Sequence, residues 1–278
     1  EKVLGKQAKK REERLQLSIF DFKPQEMPIL QEVVNISNFS FSQLQTYETC
    51  PLQYKYQYIL KIPTPPTAAT SFGSTIHNVL QKFYEGFLKD PTLNLDHMKT
   101  LLGTQWIPVG YSSTAHSQRM KEEAEKMLET FYNTFHAPDL AVSSLEKLFK
   151  IKIDDKIFIT GKIDRVDSRI DGSIEIIDYK TGKVPDEKEL KKSLQLSIYA
   201  LAATNEGLYN KPIDQVHLTF YYLQDMKKVT MQRTAEELET VAETVKTLAT
   251  KIKQGDFEPK VGKWCDYCAY RTICPALK

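Results

Sequence analysis

Two acidic residues and a lysine stand on neighbouring predicted strands, where together they could bind a divalent metal ion. Asp164 lies in the segment 161–167, and Asp178 and Lys180 end the segment 174–180. Side chains two positions apart share a face of a strand, so Asp178 and Lys180 point the same way. Carboxylates are hard oxygen ligands for Mg²⁺ or Mn²⁺, and an ammonium can orient an attacking water or stabilise developing charge. A surface hairpin with weak, exposed ion pairs is the alternative that this stretch leaves open.

A hairpin is the element that must hold these residues. Asp171-Gly172, between two runs rich in β-branched residues, is a strong turn signal. Pairing around this turn places Asp164 nearly opposite Asp178. Two isoleucines precede Asp178 on its own face, which indicates that the core face of the strand becomes a site.

The rest of the chain predicts an α/β fold, with a mixed sheet and additional helices on its N-terminal side. A first helix begins at a Ser40 or Ser42 cap. Later helices are predicted over residues 70–88, 94–106, 115–136, 186–204 and 234–254, and strands over residues 145–153, 157–169, 173–180, 215–224 and 228–232.

Three more polar residues lie on these predicted helices. His77 lies one turn after Gly73, beside an apolar stripe, and such a histidine is either a satisfied core residue or a ligand. Gln195 and Tyr199 lie one turn apart on the flank of the helix predicted over 186–204.

The four cysteines form the most specific pattern in the chain. Cys265, Cys268 and Cys274 follow the spacing C-x2-C-x5-C, and Cys50 is the only other cysteine. Four thiolates suit either an iron–sulfur cluster or a structural zinc ion. Disulfides are disfavoured because a chain of 278 residues can build its own core and its charged first residues do not resemble a signal peptide.

Composition narrows the function only slightly. The net charge of +2 is too small to argue for nucleic acid by itself. No apolar run approaches the roughly 18 to 20 residues of a membrane span, so we expect a cytoplasmic protein with no membrane partner. Residues 1–38 are predicted to be a charged linker or tail, cut from a longer helicase-like chain, or else an N-terminal helix. Residues 39–278 are predicted to form one domain.

Taken together, these features resemble a RecB-type nuclease of the PD-(D/E)xK superfamily. The resemblance is greatest to the iron–sulfur subgroup found in helicase–nuclease repair proteins and CRISPR adaptation nucleases. It covers about residues 38–278 and departs from the family name at Ile163, where a proline would precede the first acid. The motifs that carry it, in order, are His77, Asp164, Asp178-x-Lys180, Gln195-x3-Tyr199 and the split cysteine set.

The resemblance implies a PD-(D/E)xK core, namely a mixed central sheet flanked by helices, with helical additions at the N-terminal side and a four-cysteine cluster as a staple. It implies that His77, Asp164 and Asp178 bind the metal and that Lys180 acts on the attacking water. Gln195 and Tyr199 are implied to lie near the site and the DNA. Cys50 and the three late cysteines are implied to hold a [4Fe–4S] cluster, with Zn²⁺ as the alternative.

Elementary chemistry adds three expectations to these. The Tyr179 carbonyl oxygen can supply a further metal ligand. The His77 imidazole shifts the preference from Mg²⁺ toward Mn²⁺. Arg165 belongs to a set of basic residues that can hold phosphates, together with Lys162, Lys183, Lys191 and Lys192.

The expected function is therefore metal-dependent hydrolysis of DNA, as an exonuclease or endonuclease on single strands or duplex ends. Repair, recombination or end processing is the expected setting, and a fused or associated helicase is an expected partner. The alternatives are a non-catalytic, cluster-stabilised DNA-binding module and a zinc-stapled structural domain of a helicase. The intact set of Asp164, Asp178 and Lys180 argues against the non-catalytic module.

Overall fold

A computed structural model of the chain describes residues 35–277. The linker or tail predicted over residues 1–38 therefore lies almost wholly outside the described residues. Within residues 35–277, no helix is long and apolar enough to cross a membrane.

The described strands form one mixed, six-stranded sheet. In chain order they are β1 (Asn38–Phe39), β2 (Val142–Asp154), β3 (Ile157–Ser168), β4 (Ile174–Lys180), β5 (Val216–Tyr222) and β6 (Lys227–Met231). The strand order is β1-β3-β4-β5-β6, and β2 pairs with β3. The β1–β3 and β4–β5 pairs are parallel, and the others are antiparallel.

Strand β3 has different neighbours along its length. One edge pairs with β2 over nearly all of β3. On the other edge, β1 pairs with Phe158 and Ile159, and β4 pairs with residues 165–168. The stretch between these two pairings, which contains Asp164, therefore faces an opening in the sheet.

Eight α-helices of the described part cover the two faces of the sheet. They are α1 (Phe41–Thr49), α2 (Pro51–Tyr54), α3 (Ala68–Phe87), α4 (Leu95–Gln105), α5 (Thr114–Phe135), α6 (Glu187–Lys191), α7 (Leu194–Thr204) and α8 (Ala235–Lys253). Helices α1, α7 and α8 share a core with one face, to which Ile176 contributes. Helices α3, α4 and α5 share a second core with the other face, to which Ile177 contributes. This arrangement confirms the predicted α/β fold with a mixed sheet flanked by helices.

The hairpin of β3 and β4 turns where the sequence predicted. Gly172 has a φ of +82°, a left-handed conformation that glycine adopts readily. The carboxylate of Asp171 accepts a hydrogen bond from the Ser173 N–H at 3.0 Å, which fixes the turn. Ser40 caps α1, as one of the two predicted alternatives, and its side chain accepts from the Gln43 N–H.

The helix predicted over 186–204 is wrong as a single element, because the chain forms α6 and α7 with a break between them. Ser193 has a non-helical backbone conformation, and its side chain caps α7 by accepting from the Leu196 N–H. The apolar spacing continues across the break, so periodicity alone favoured one helix, whereas a serine hydroxyl that competes for backbone donors starts a new one. Strand β1 was not predicted, since two residues show no periodicity.

Candidate active site

Asp164 and Asp178 come from adjacent antiparallel strands at the opening in the sheet. The last pair of the hairpin is Arg165 with Ile177, so one further step places Asp164 opposite Asp178. Both acids are buried, with 8% and 3% of their surface exposed. Two acids in so dry an environment require specific partners, because burial of unpaired charge is costly.

One oxygen of Asp164 has two partners. Asp164 Oδ2 accepts a hydrogen bond from the Tyr179 N–H at 3.1 Å and lies 3.2 Å from His77 Nδ1. Burial by itself lowers the pKa of His77, but the hydrogen bond to Asp164 and its charge outweigh this and raise that pKa. Helix α3 packs its apolar stripe on the sheet and so carries His77 to the acids, as the resemblance implied.

Asp178 is held by the two polar residues of α7. Its Oδ1 accepts a hydrogen bond from Gln195 Nε2 at 2.6 Å and lies 3.0 Å from the Tyr199 hydroxyl. Its Oδ2 lies 2.7 Å from Lys180 Nζ as an ion pair, yet it is buried without a hydrogen bond of good alignment. Burial raises the pKa of Asp178, and the Asp164 charge adds to this against the opposing effect of Lys180.

Lys180 and Gln195 complete a closed ring of contacts around Asp178. Lys180 Nζ donates a hydrogen bond to Gln195 Oε1 at 2.7 Å, so the amide joins the ammonium to the carboxylate. Lys180 Nζ also lies 4.9 Å from the centre of the Phe220 ring, a cation–π contact. Asp178 and Lys180 thus share a face of β4, as the sequence predicted.

Tyr199 is supported from behind by a residue that the sequence did not single out. The Phe149 ring packs edge-on against Tyr199, with ring centres 6.2 Å apart. Phe149 pairs across the strands with Gly161, where a Cβ atom would come within 2.5 Å of the Phe149 ring. Gly161 is therefore required for close packing. Burial raises the pKa of Tyr199 far above its usual range, so the hydroxyl remains protonated.

Arg165 does not lie where a phosphate could reach it. It is only 2% exposed, and its Nε donates to Asp167 Oδ1 at 2.7 Å. The guanidinium stacks on Tyr84, 4.3 Å from the ring centre. The prediction that Arg165 contacts substrate is therefore wrong for this structure, because its side chain turns into the core shared with α3. Asp167, two positions later on the same strand face, was the feature of the sequence that could have indicated an ion pair with Arg165.

The residues around Asp178 fit a divalent cation by their chemistry. They offer two carboxylates, an imidazole and the Tyr179 carbonyl oxygen, the donor set expected for Mg²⁺ or Mn²⁺. Within residues 35–277, no three His, Cys, Asp or Glu side chains stand in a closed ligand arrangement. His77 Nδ1 lies beside Asp164, and Lys180 Nζ lies beside Asp178. The two buried carboxylates, which come from adjacent strands, carry the negative charge that a cation would balance.

The four cysteines line one cavity between the N-terminal helices and the C-terminal tail: Cys50, Cys265, Cys268 and Cys274. All four are free thiols, and across the described part of the chain they do not form a closed metal-ligand geometry. Protein contacts hold the tail in place. The Tyr270 hydroxyl donates to the Ile62 carbonyl oxygen at 3.0 Å, and the Tyr47 hydroxyl donates to that of Asp256 at 2.6 Å.

A groove beside Lys180 and Gln195 was not foreseen from the sequence. Helix α1 contributes Phe41 and Glu48 to its wall, and Tyr222 of β5 lines it as well. These residues are distant in the chain and carry no shared motif. Only the packing of α1 against α7 brings them to the site.

Comparison with known proteins decides the family. Residues 38–275 match the sequence model of the PD-(D/E)XK nuclease superfamily. The chain belongs to this superfamily. The match spans both acids, Lys180 and all four cysteines, and it agrees with the sheet and helix arrangement described above.

Curated relatives of this superfamily member include parts of much larger proteins. The B subunit of the ATP-dependent helicase/deoxyribonuclease of Carboxydothermus hydrogenoformans is 25% identical over 241 residues, which cover 70% of this chain and 21% of that protein. Its namesake in Streptococcus uberis is 26% identical over 204 residues, covering 68% of this chain and 18% of that protein. This chain therefore spans about a fifth of their length.

A second kind of relative has a similar length. The gene 69 protein of Mycobacterium phage L5 is 22% identical over 290 residues, which cover 86% of this chain and 96% of that protein.

Proposed function

We propose that this chain is a metal-dependent DNA nuclease that hydrolyses phosphodiester bonds with Mg²⁺ or Mn²⁺. The observation that carries the proposal is the pair of buried acids, Asp164 and Asp178, which come from adjacent strands. His77 lies beside one acid and Lys180 beside the other. A structural ion pair has no need of a second buried carboxylate beside it, whereas a cation site does, because the cation offsets the repulsion between the two acids. Residues 39–278 form the nuclease unit in this proposal.

In this proposal, Asp164, Asp178, His77 and the Tyr179 carbonyl oxygen hold the cation. The bound cation supplies Lewis-acid stabilisation of the phosphate and lowers the pKa of a water molecule. Lys180 orients the attacking water or stabilises charge that develops on the phosphate. Its ammonium is already aimed by Gln195, so little reorganisation is needed for that role.

Gln195 and Tyr199 act on Asp178 in this proposal, and of the two expected substrate contacts only that of Gln195 is retained. Both lie within hydrogen-bond distance of Asp178 Oδ1 and keep its carboxylate oriented. Gln195 also lines the groove beside the site, so it is the one of the two that can reach substrate.

DNA is the proposed substrate, as single strands or duplex ends. The helicase/deoxyribonuclease relatives carry that activity in their names, and a fused or associated helicase is a proposed partner. Lys162, Lys183 and Lys192 are exposed near the site and can contact phosphates. Repair or recombination in the cytoplasm is the proposed setting.

The cysteine cavity is proposed to hold a [4Fe–4S] cluster or a zinc ion in a structural role. One early and three late cysteines meet there, so a shared metal would join distant parts of the chain. Joining distant segments removes loop-closure entropy from the unfolded chain and couples metal binding to folding.

The proposal is tested by incubating the protein with 5′- and 3′-labelled single strands and duplexes, with Mn²⁺, Mg²⁺ or EDTA. Cleavage that needs a divalent cation and disappears in Lys180→Ala supports it. DNA binding without cleavage under every metal condition would contradict it and favour the non-catalytic DNA-binding module.

A further inference from the structure

The buried Arg165 has a feature that stability alone does not explain. It lies next to Asp164 on β3, and its guanidinium donates through two nitrogens to the carboxylate of Asp167, also buried. A buried ion pair is weak support for stability, because desolvation of the two charges offsets much of their attraction. An apolar pair of similar volume would pack this core as well, so a role in positioning is the better reason for the charges.

The third nitrogen of the guanidinium connects Arg165 to the candidate site. Arg165 Nη1 donates to the Tyr179 hydroxyl at 3.4 Å. Tyr179 is the residue between Asp178 and Lys180, and its own N–H donates to Asp164 Oδ2 at 3.1 Å. A chain of contacts therefore runs from the guanidinium through the phenol and its main chain to the acid.

Aromatic rings pack around Arg165 and Tyr179 and restrict the movement of both side chains. The Tyr84 ring covers the guanidinium on one side. The Tyr179 ring is edge-on to Phe131 and to His77, with ring centres 5.7 and 6.1 Å away. Tyr84 and His77 both come from α3, so the helix that brings the imidazole also clamps the arginine.

We propose that Arg165 is a positioning residue, which fixes the Tyr179 ring and thereby the main chain between Asp178 and Lys180. This inference rests on the proposed nuclease function. Fixing that main chain sets the Tyr179 N–H that holds Asp164 and the Tyr179 carbonyl oxygen on the same strand. The planar fork of arginine is needed because it reaches Asp167 and Tyr179 at once, which the single ammonium of lysine does not.

Two variants separate positioning from packing. Arg165→Lys keeps the positive charge beside Asp167 but loses the fork. Tyr179→Phe keeps the ring and its volume and loses only the hydroxyl that Arg165 contacts. The matched control is Glu175→Gln, which changes another buried carboxylate of β4, near the opposite end of the strand. Glu175 is paired with the exposed Lys228 at 2.7 Å.

The experiment measures Mn²⁺ affinity by calorimetry without DNA, the melting temperature without metal, and kcat and KM for DNA cleavage. We expect Arg165→Lys to bind Mn²⁺ about 10- to 100-fold more weakly, the loss typical of partners that orient metal ligands, with kcat reduced and KM little changed. Tyr179→Phe should shift in the same direction by a smaller factor. Glu175→Gln should lower the melting temperature and leave Mn²⁺ affinity as in the wild type.

Wild-type Mn²⁺ affinity in both Arg165→Lys and Tyr179→Phe, with a fall in melting temperature only, would overturn the inference and leave the nuclease proposal standing. Should Arg165→Lys fail to fold, Tyr179→Phe decides alone, since its ring still fills the core. A wild-type protein that neither binds Mn²⁺ nor cleaves DNA would contradict the nuclease proposal itself, and the inference with it.

Discussion

Three side chains contact the two carboxylate oxygens of Asp178, and these contacts define the candidate site. Gln195 and Tyr199 hold one oxygen, and Lys180 lies beside the other. The shared face of Asp178 and Lys180 was predictable, because a strand fixes it within three positions. The contacts from α7 were not predictable, since they depend on how that helix packs on the sheet.

Tyr199→Phe should reduce cleavage about tenfold while the fold is kept. The hydroxyl lies 3.0 Å from Asp178 Oδ1, and a hydrogen bond to a charged group contributes about 1.5–3 kcal/mol. Steady-state kinetics would show the loss in kcat. The matched control is Tyr209→Phe, which removes a hydroxyl bound to Ser144 at 2.6 Å away from the acids. Equal kinetics in the two variants would argue that Tyr199 only packs.

The residue type of Arg165 led to a wrong expectation about its role. An arginine beside a predicted metal-binding acid was expected to contact phosphate, but Asp167 and Tyr84 contact it inside the core. Alternation along the strand gave Arg165 and Asp167 a common face. Whether that face met solvent or α3 was decided by packing between segments far apart in the chain.

The break between α6 and α7 sets where α7 begins and thereby positions Gln195 at the site. Ser193 begins α7, and Gln195 lies in the first turn of that helix. The hairpin was predictable because its turn and both strands are local in sequence. The break was not, because apolar spacing continues through it and only the conformation of Ser193 reveals it.

Ser193→Ala should cost about 1 kcal/mol of stability, as losing a helix N-cap does, and should also lower cleavage. Without the cap, the first turn of α7 loosens and Gln195 no longer holds Asp178 and Lys180 together. Thermal melts and cleavage rates would be compared with those of Thr234→Ala, which removes the N-cap of α8 at a distance from the site. A variant pair that loses stability equally and cleaves equally would refute the link.

The fold consists of two hydrophobic cores, one on each side of the sheet, and a C-terminal tail. The sheet separates the core of α1, α7 and α8 from that of α3, α4 and α5, and the site lies at the opening where β3 changes partners. The family resemblance implied that Cys50 and the three late cysteines share a site, and the four residues line one cavity. Hydrogen bonds from Tyr270 and Tyr47 also hold the tail, and the sequence pattern did not predict them.

Cys50→Ser should lose its bound metal and lower the melting temperature sharply, with cleavage falling because the N-terminal helices loosen. Iron, sulfide and zinc analysis with a thermal melt would measure both effects. Tyr270→Phe is the matched control, since it removes the hydroxyl bond to Ile62 and keeps all four thiols. It should lose about 1 kcal/mol of stability and retain the metal. Unchanged metal content and an unchanged melt in Cys50→Ser would show that Cys50 is not a ligand.

We expect Asp178 to serve catalysis at some expense to stability, and Asp178→Asn separates these two effects. Burial and the nearby Asp164 charge raise the pKa of Asp178, so the ionised carboxylate is unfavourable in the folded protein. The neutral amide keeps the shape and removes that charge. We therefore predict a metal-free melting temperature equal to or above that of the wild type, together with loss of Mn²⁺-dependent DNA cleavage. Cleavage at the wild-type rate by Asp178→Asn would show that Asp178 is not part of the catalytic site.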